Sequence, residues 1–188
     1  NVKYLILRNQ QGGQQAMHND KALGNAWFVS KLSIENSDNE VMQRLEDFNP
    51  QQEALATLKD LKTPLPQQYT VDSTATISLK SYKPDALEYE SKNSNAGLAV
   101  FSEMYYPQGW KATIDGKEVP IYQVDYALRA LSVPAGNHQI RFAFEPEVVS
   151  IGSKIALVGY LLLAIWSAVI IGGAIMIGRG LRKQKVNQ

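Results

Sequence analysis

The clearest pattern of hydrophobic and polar positions runs from Gly97 to Pro146. Near its end, Ile140, Phe142 and Phe144 fall on one side of an extended chain and Gln139, Arg141 and Ala143 on the other. A period of two predicts a strand with one buried and one wet face. Leu98–Glu103 is a short apolar run, and Trp110–Ile114 alternates with Lys111 and Thr113. Asp115-Gly116 sits between two β-prone segments, which predicts a two-residue hairpin turn with φ > 0 at both centres. Lys117–Val124 reads as its return strand and Ala127–Val133 as the next, closed by the turn Pro134-Ala135-Gly136-Asn137. Such closely spaced antiparallel strands imply a sandwich or a curved sheet with its own core.

Upstream the pattern is mixed. Val2–Leu7 and Ala26–Ile34 read as strands, separated by a long polar loop over Asn9–Asn25. At Ser37 the period changes: Val41, Met42, Leu45 and Phe48 recur at helical spacing, and Ser37 with Glu40 forms a capping-box signature. Leu55, Leu58 and Leu61 predict a second short helix over Gln51–Leu61, between Pro50 and Pro64. Tyr69–Tyr82 returns to alternation, and Leu87 and Tyr89 mark another strand. The expected fold is therefore α+β: a mainly antiparallel, sandwich-like domain over 1–150 with two short helices. One transmembrane helix (151–178) and a basic tail (179–188) follow.

That transmembrane helix is predicted from Ile155–Ile177, which carries no charge. As a helix the run covers roughly 34 Å, enough for a hydrocarbon core of about 30 Å. Glu147–Ser153 reads as a short linker. Ala156, Ala164, Ala168 and Gly172 lie on one small-residue stripe, the kind of face on which membrane helices pack closely. They are expected to meet upstream membrane helices of the same protein or a partner subunit. Arg179, Arg182, Lys183 and Lys185 follow the run while only Lys154 precedes it, so the excess of positive charge puts the tail in the cytoplasm and residues 1–150 outside. A domain of that size has to be exported, and the chain opens NVKYLILRNQ with no signal peptide. The simplest resolution is that it is the C-terminal part of a longer protein.

Charge narrows the partners. The net of +1 conceals 14 basic and 18 acidic residues in 1–150, a net of −4, which argues against nucleic acid. Cysteine is absent and histidine is limited to His18 and His138, so thiolate metal sites and cysteine nucleophiles are excluded, and no cofactor is expected. Common catalytic motifs such as GxSxG, HExxH or a phosphate-binding glycine loop are also missing, and no catalytic residue is assigned. The best constellation is Glu103, Tyr105, Tyr106, Trp110, Asp125 and Arg129. Aromatic rings can cover the apolar side of a sugar, carboxylates can take its hydroxyls, and an arginine can fork onto phosphate. The same residues also read as core and loop locks, with Trp110 buried and Arg129 paired to Glu103 or Asp125 across the sheet. His138 reads as a hydrogen-bonded, half-exposed residue and Asp115 as a turn residue.

The runs SEMYYPQGWKATIDGK and DYALRALSVPAGNHQIRFAFEP, followed by the apolar run, resemble the C-terminal part of the YfhO-like family of bacterial multi-pass membrane proteins. NVKYLI and ALGNAWFV are similar to the same family's preceding region. The resemblance implies an enzyme similar to membrane-embedded glycosyltransferases of the GT-C type, which use polyprenyl-phosphate sugars to glycosylate cell-envelope polymers. It implies the bacterial cytoplasmic membrane, with lipid, lipid-linked sugar and envelope glycan as partners. The catalytic acid of such enzymes lies in an early extracytoplasmic loop, so no catalytic residue carries over. The alternative is a non-enzymatic, membrane-anchored module that binds glycan or protein.

Overall fold

The alternation around Ile140 is realised in the central strand of a five-stranded antiparallel sheet. A computed structural model of the chain describes residues 1–8, 13–61 and 63–186, with side chains described up to residue 173 except that of Ser150. The strands are β1 (Tyr4–Arg8), β2 (Gln14–His18), β3 (Ala26–Val29), β4 (Lys31–Glu35), β5 (Glu53–Thr57), β6 (Thr76–Lys83) and β7 (Ala86–Asn93). They continue with β8 (Gly97–Met104), β9 (Trp110–Ile114), β10 (Lys117–Val119), β11 (Tyr122–Val124), β12 (Leu128–Val133) and β13 (Gly136–Phe144). Helix α1 covers Asp38–Arg44 and α2 covers Glu147–Val186. The larger sheet has the order β10-β9-β13-β7-β6 and the smaller β11-β12-β8-β3.

The two sheets face each other across one core. Leu87, Tyr89, Ile140 and Phe142 come from the larger sheet, and Phe28, Ala99, Phe101 and Leu131 from the smaller. Tyr89, Phe101 and Phe142 make edge-to-face contacts with ring centroids 4.9–6.1 Å apart, the arrangement their quadrupoles favour. Gly97 opens β8 because a Cβ there would come within 2.9 Å of the Phe28 ring. The other face of the smaller sheet is covered too. Leu98, Val100, Ala130 and Val124 pack against Leu32, Ala54 and Ala56 of the parallel pair β4–β5. Helix α1 lies in the crossover that a parallel pair requires. The smaller sheet is thus the middle layer, and β8 reads as an unbroken apolar run because both its faces are dry.

The antiparallel α+β architecture with one long apolar C-terminal helix is as expected, but several local readings need correction. Residues 51–61 do not form a helix. Ala54, Leu55 and Ala56 are all buried in β5, while Leu58 is 74% exposed. A strand covered on both sides loses its alternation, and the leucine spacing imitated a helix. Ala26–Ile34 is not one strand but two, β3 and β4, which leave for different sheets at Ser30. There the Ser30 N–H and hydroxyl both donate to the Gln52 carbonyl. Lys117–Val124 splits likewise at Pro120 into β10 and β11. The polar segment expected as loop contains β2, hydrogen-bonded in register with β1 from Tyr4↔His18 to Arg8↔Gln14; residues 9–12 of it lie outside the described residues. The capping box is present in a shifted form: Ser37 Oγ accepts from the Glu40 N–H, and the Glu40 carboxylate accepts from the N–H of Asn36. At Asp115 and Gly116 φ is 50° and 79°, as the two-residue turn demands.

The chain divides into two compact units, Asn1–Glu145 and Pro146–Gln188. In the second, the expected linker is helical from Glu147 onward. Residues 147–173 are long and apolar enough to cross a membrane, and they are unburied among the described residues. Ala156, Ala164, Ala168 and Gly172 are exposed on this helix. The side chains of the basic tail, Arg179 to Lys185, lie outside the described residues.

Candidate functional site

The six residues singled out from sequence do not form one surface. Their centre is Arg129, on the core-facing side of β12. It is 3% exposed. Its Nε–H donates to the Met104 carbonyl at 2.8 Å, and its guanidinium carbon stands 4.2 Å from the Trp110 ring centroid and 5.4 Å from that of Phe142. The local register explains how an arginine arrives there. Leu128 pairs with Met104 but Arg129 pairs with Phe101, so Ser102 and Glu103 bulge out of β8 beside it. A bulge re-aims side chains and bends the strand. Glu103 is drawn close enough that the charges sense each other. Burial pushes the Glu103 carboxyl above its usual range and the nearby Arg129 opposes this; burial likewise lowers Arg129, against the pull of Glu103.

The expected ion pair between Arg129 and Glu103 or Asp125 is not formed. Arg129 Nη1 is buried without a hydrogen-bond partner. Trp110 is half-buried rather than buried, tilted against Phe144 at 5.4 Å between centroids. The arrangement is a cation–π clamp: the guanidinium lies between the aromatic core and the Trp110 face, where such a contact contributes roughly 1–2 kcal/mol. At 3% exposure it cannot fork onto a phosphate in solvent. Tyr105 is half-buried beside it, its N–H bonded to the Ala127 carbonyl, and Tyr106 is exposed with its hydroxyl donating to Gln108.

Asp125 lies on the opposite side of the same sheet. Its carboxylate accepts from the Leu55 N–H at 2.8 Å, and its own N–H donates to the Leu55 carbonyl at 2.7 Å. The pair ties the β11–β12 turn to β5, and Asp125 and Tyr126 take φ of 48° and 67° to achieve it. Burial pushes the Asp125 carboxyl up to about 7; the Leu55 N–H acts against burial, and Glu53 adds to it. Such a shift in a cleft would suggest chemistry. Here the group is 8% exposed and faces backbone, which makes it a latch.

An open depression of about 600 Å³ lies elsewhere, on the β6–β7–β13 side of the larger sheet. Thr76, Ser78, Lys80, Glu90, Asn137 and Gln139 are among its lining residues. At its rim His138 Nδ1 meets Asp115 Oδ2 at 2.6 Å and His138 Nε2 meets the Ala135 carbonyl at 3.1 Å. The Asp115 hydrogen bond holds the imidazole above its ordinary value, and His138 in turn lowers Asp115. Both ring nitrogens are thereby engaged by acceptors, which pins two turns together and leaves the ring no free nitrogen for catalysis. Sequence reasoning found His138 and Asp115 but not the depression, because alternation marks a wet face without revealing its curvature. Among the described residues no group of three acidic or histidine side chains is placed to hold a metal ion.

The β-sandwich unit is followed by a helix long and apolar enough to cross a membrane, the layout of a membrane-protein segment. Residues 14–156 match the family described as bacterial membrane protein YfhO, and the chain belongs to that family. No curated protein and no solved structure matches it.

Proposed function

We propose that the chain supplies the extracytoplasmic domain and a membrane helix of a larger glycosyltransferase in the bacterial cytoplasmic membrane. The enzyme moves a sugar from a polyprenyl-phosphate donor onto a cell-envelope polymer. The observation that carries this reading is the family match, which runs through the sandwich and into the apolar helix. Upstream membrane segments hold the catalytic acid. The domain serves the acceptor, and the small-residue stripe Ala156–Ala164–Ala168–Gly172 packs on those segments. Arg129 and Trp110 shape the domain in this reading, and the acceptor meets the polar depression, whose hydroxyls, amides and mixed charges suit a polyhydroxylated chain.

The test is transfer of labelled sugar from a polyprenyl-phosphate donor by the full-length gene product in proteoliposomes. Transfer that falls with Lys80→Ala and Gln139→Ala, at unchanged fold, supports the reading. The depression itself favours a second reading, a glycan-binding module without chemistry of its own. Saturable glycan binding without turnover in the same proteoliposomes would select that module instead.

A further inference from the structure

Neither core of the first unit takes a residue from the hairpin β1–β2. Every residue of both strands is exposed. Leu5 and Leu7 pair with Met17 and Gln15 on one face, and Tyr4 and Ile6 pair with His18 and Ala16 on the other, so each face carries exposed apolar side chains. Ile6 is 71% exposed. An isolated two-stranded ribbon is marginal in water and gains stability from an apolar surface to lie against. Asn1 and Asn19 hold its base: Asn1 Oδ1 accepts from the Leu23 N–H, and Asn19 Nδ2 donates to the Val2 carbonyl.

Charge indicates what that surface is. Residues 1–24 hold Lys3, Arg8 and Lys21 against Asp20, a net of +2, whereas residues 25–150 hold 11 basic and 17 acidic residues, a net of −6. An anionic surface therefore attracts the hairpin and repels the remainder. A membrane belongs to the setting of the chain, whose residues 147–173 form a helix long and apolar enough to cross one. We propose that the β1–β2 hairpin lies in the headgroup region of an anionic lipid bilayer, with the Tyr4–Ile6 face toward the acyl boundary and Lys3 and Arg8 near lipid phosphates. Both ribbon edges carry unpaired backbone groups, which limits the hairpin to the interface and keeps it out of the hydrocarbon core.

The chain contains no cysteine, so single labels are unambiguous. The full chain is reconstituted with an environment-sensitive fluorophore on Ile6→Cys or, as controls, on Leu58→Cys or Tyr82→Cys, in vesicles with and without phosphatidylglycerol. Unchanged far-ultraviolet dichroism confirms folding. The expected result is several-fold stronger quenching of the Ile6 probe by a nitroxide lipid than of either control, greatest with phosphatidylglycerol. Lys3→Gln and Arg8→Gln should each lower that occupancy about fivefold, since a basic residue near an anionic surface contributes about 1 kcal/mol. An Ile6 probe open to aqueous iodide and indifferent to lipid overturns the proposal. So does one shielded from both quenchers, which would mean that protein covers the hairpin.

Discussion

Strands β1 and β8 are built from nearly the same material and end in opposite environments. Tyr4-Leu5-Ile6-Leu7 and Leu98-Ala99-Val100-Phe101 are both four-residue apolar runs with polar or glycine neighbours. In β8 all four are fully buried, alternately against the larger sheet and against β4–β5. In β1 all four are exposed. The helix 147–173 repeats the lesson at greater length, being long and apolar yet unburied among the described residues. An apolar run states that something must cover it. Whether the cover is protein or lipid depends on what the rest of the chain places beside it.

The comparison can be broken at its strong end first. Phe101→Ala removes a ring from the edge-to-face trio and should cost about 3–5 kcal/mol in a denaturant titration; a cost below 1 kcal/mol would mean that the two strands are energetically alike after all. Acidity offers the next lever. The Asp125 carboxyl is raised in the folded state, so its contribution favours folding below the unfolded value near 3.8 and is lost as pH rises through about 7. Stability should therefore fall by up to about 1.4 kcal/mol per pH unit within that window. Asp125→Asn should remove most of the slope. His138, also raised, adds a smaller loss as pH climbs above 6.5. A slope unchanged in Asp125→Asn would assign the effect elsewhere.

Gly97→Ala sharpens the contrast at the start of β8. The new methyl must displace the Phe28 ring, at a cost of about 1–3 kcal/mol, measurable as a lowered midpoint at unchanged denaturant slope. Ile6→Ser should change domain stability by less than about 0.5 kcal/mol, as surface substitutions do. A loss of several kcal/mol there would show that β1 belongs to the folded core.

Much of the architecture was legible because local rules fix it. Asp115-Gly116 specifies its turn through φ > 0, Ser37 and Glu40 mark the start of α1, and the alternation of β13 separates Ile140 and Phe142 from Gln139 and Arg141. Reading failed where tertiary contacts override period. Leu55 and its neighbours became a strand because β4 and Asp125 bind its backbone, and no window of residues 51–61 contains that information. The candidate residues were dispersed for the same reason. Residues 103–129 looked like a group in sequence, yet strand alternation and a bulge put Arg129 and Asp125 on opposite sides of one sheet.

By itself the sequence determined the class of fold, the membrane-competent helix, the turns and the charge asymmetry, because these depend on periodicity, length and composition. Only the tertiary structure decided that Arg129 is clamped under Trp110, that Asp125 is a backbone latch and that β1 stands uncovered. Burial is a property of what packs against a residue, and those partners come from distant parts of the chain.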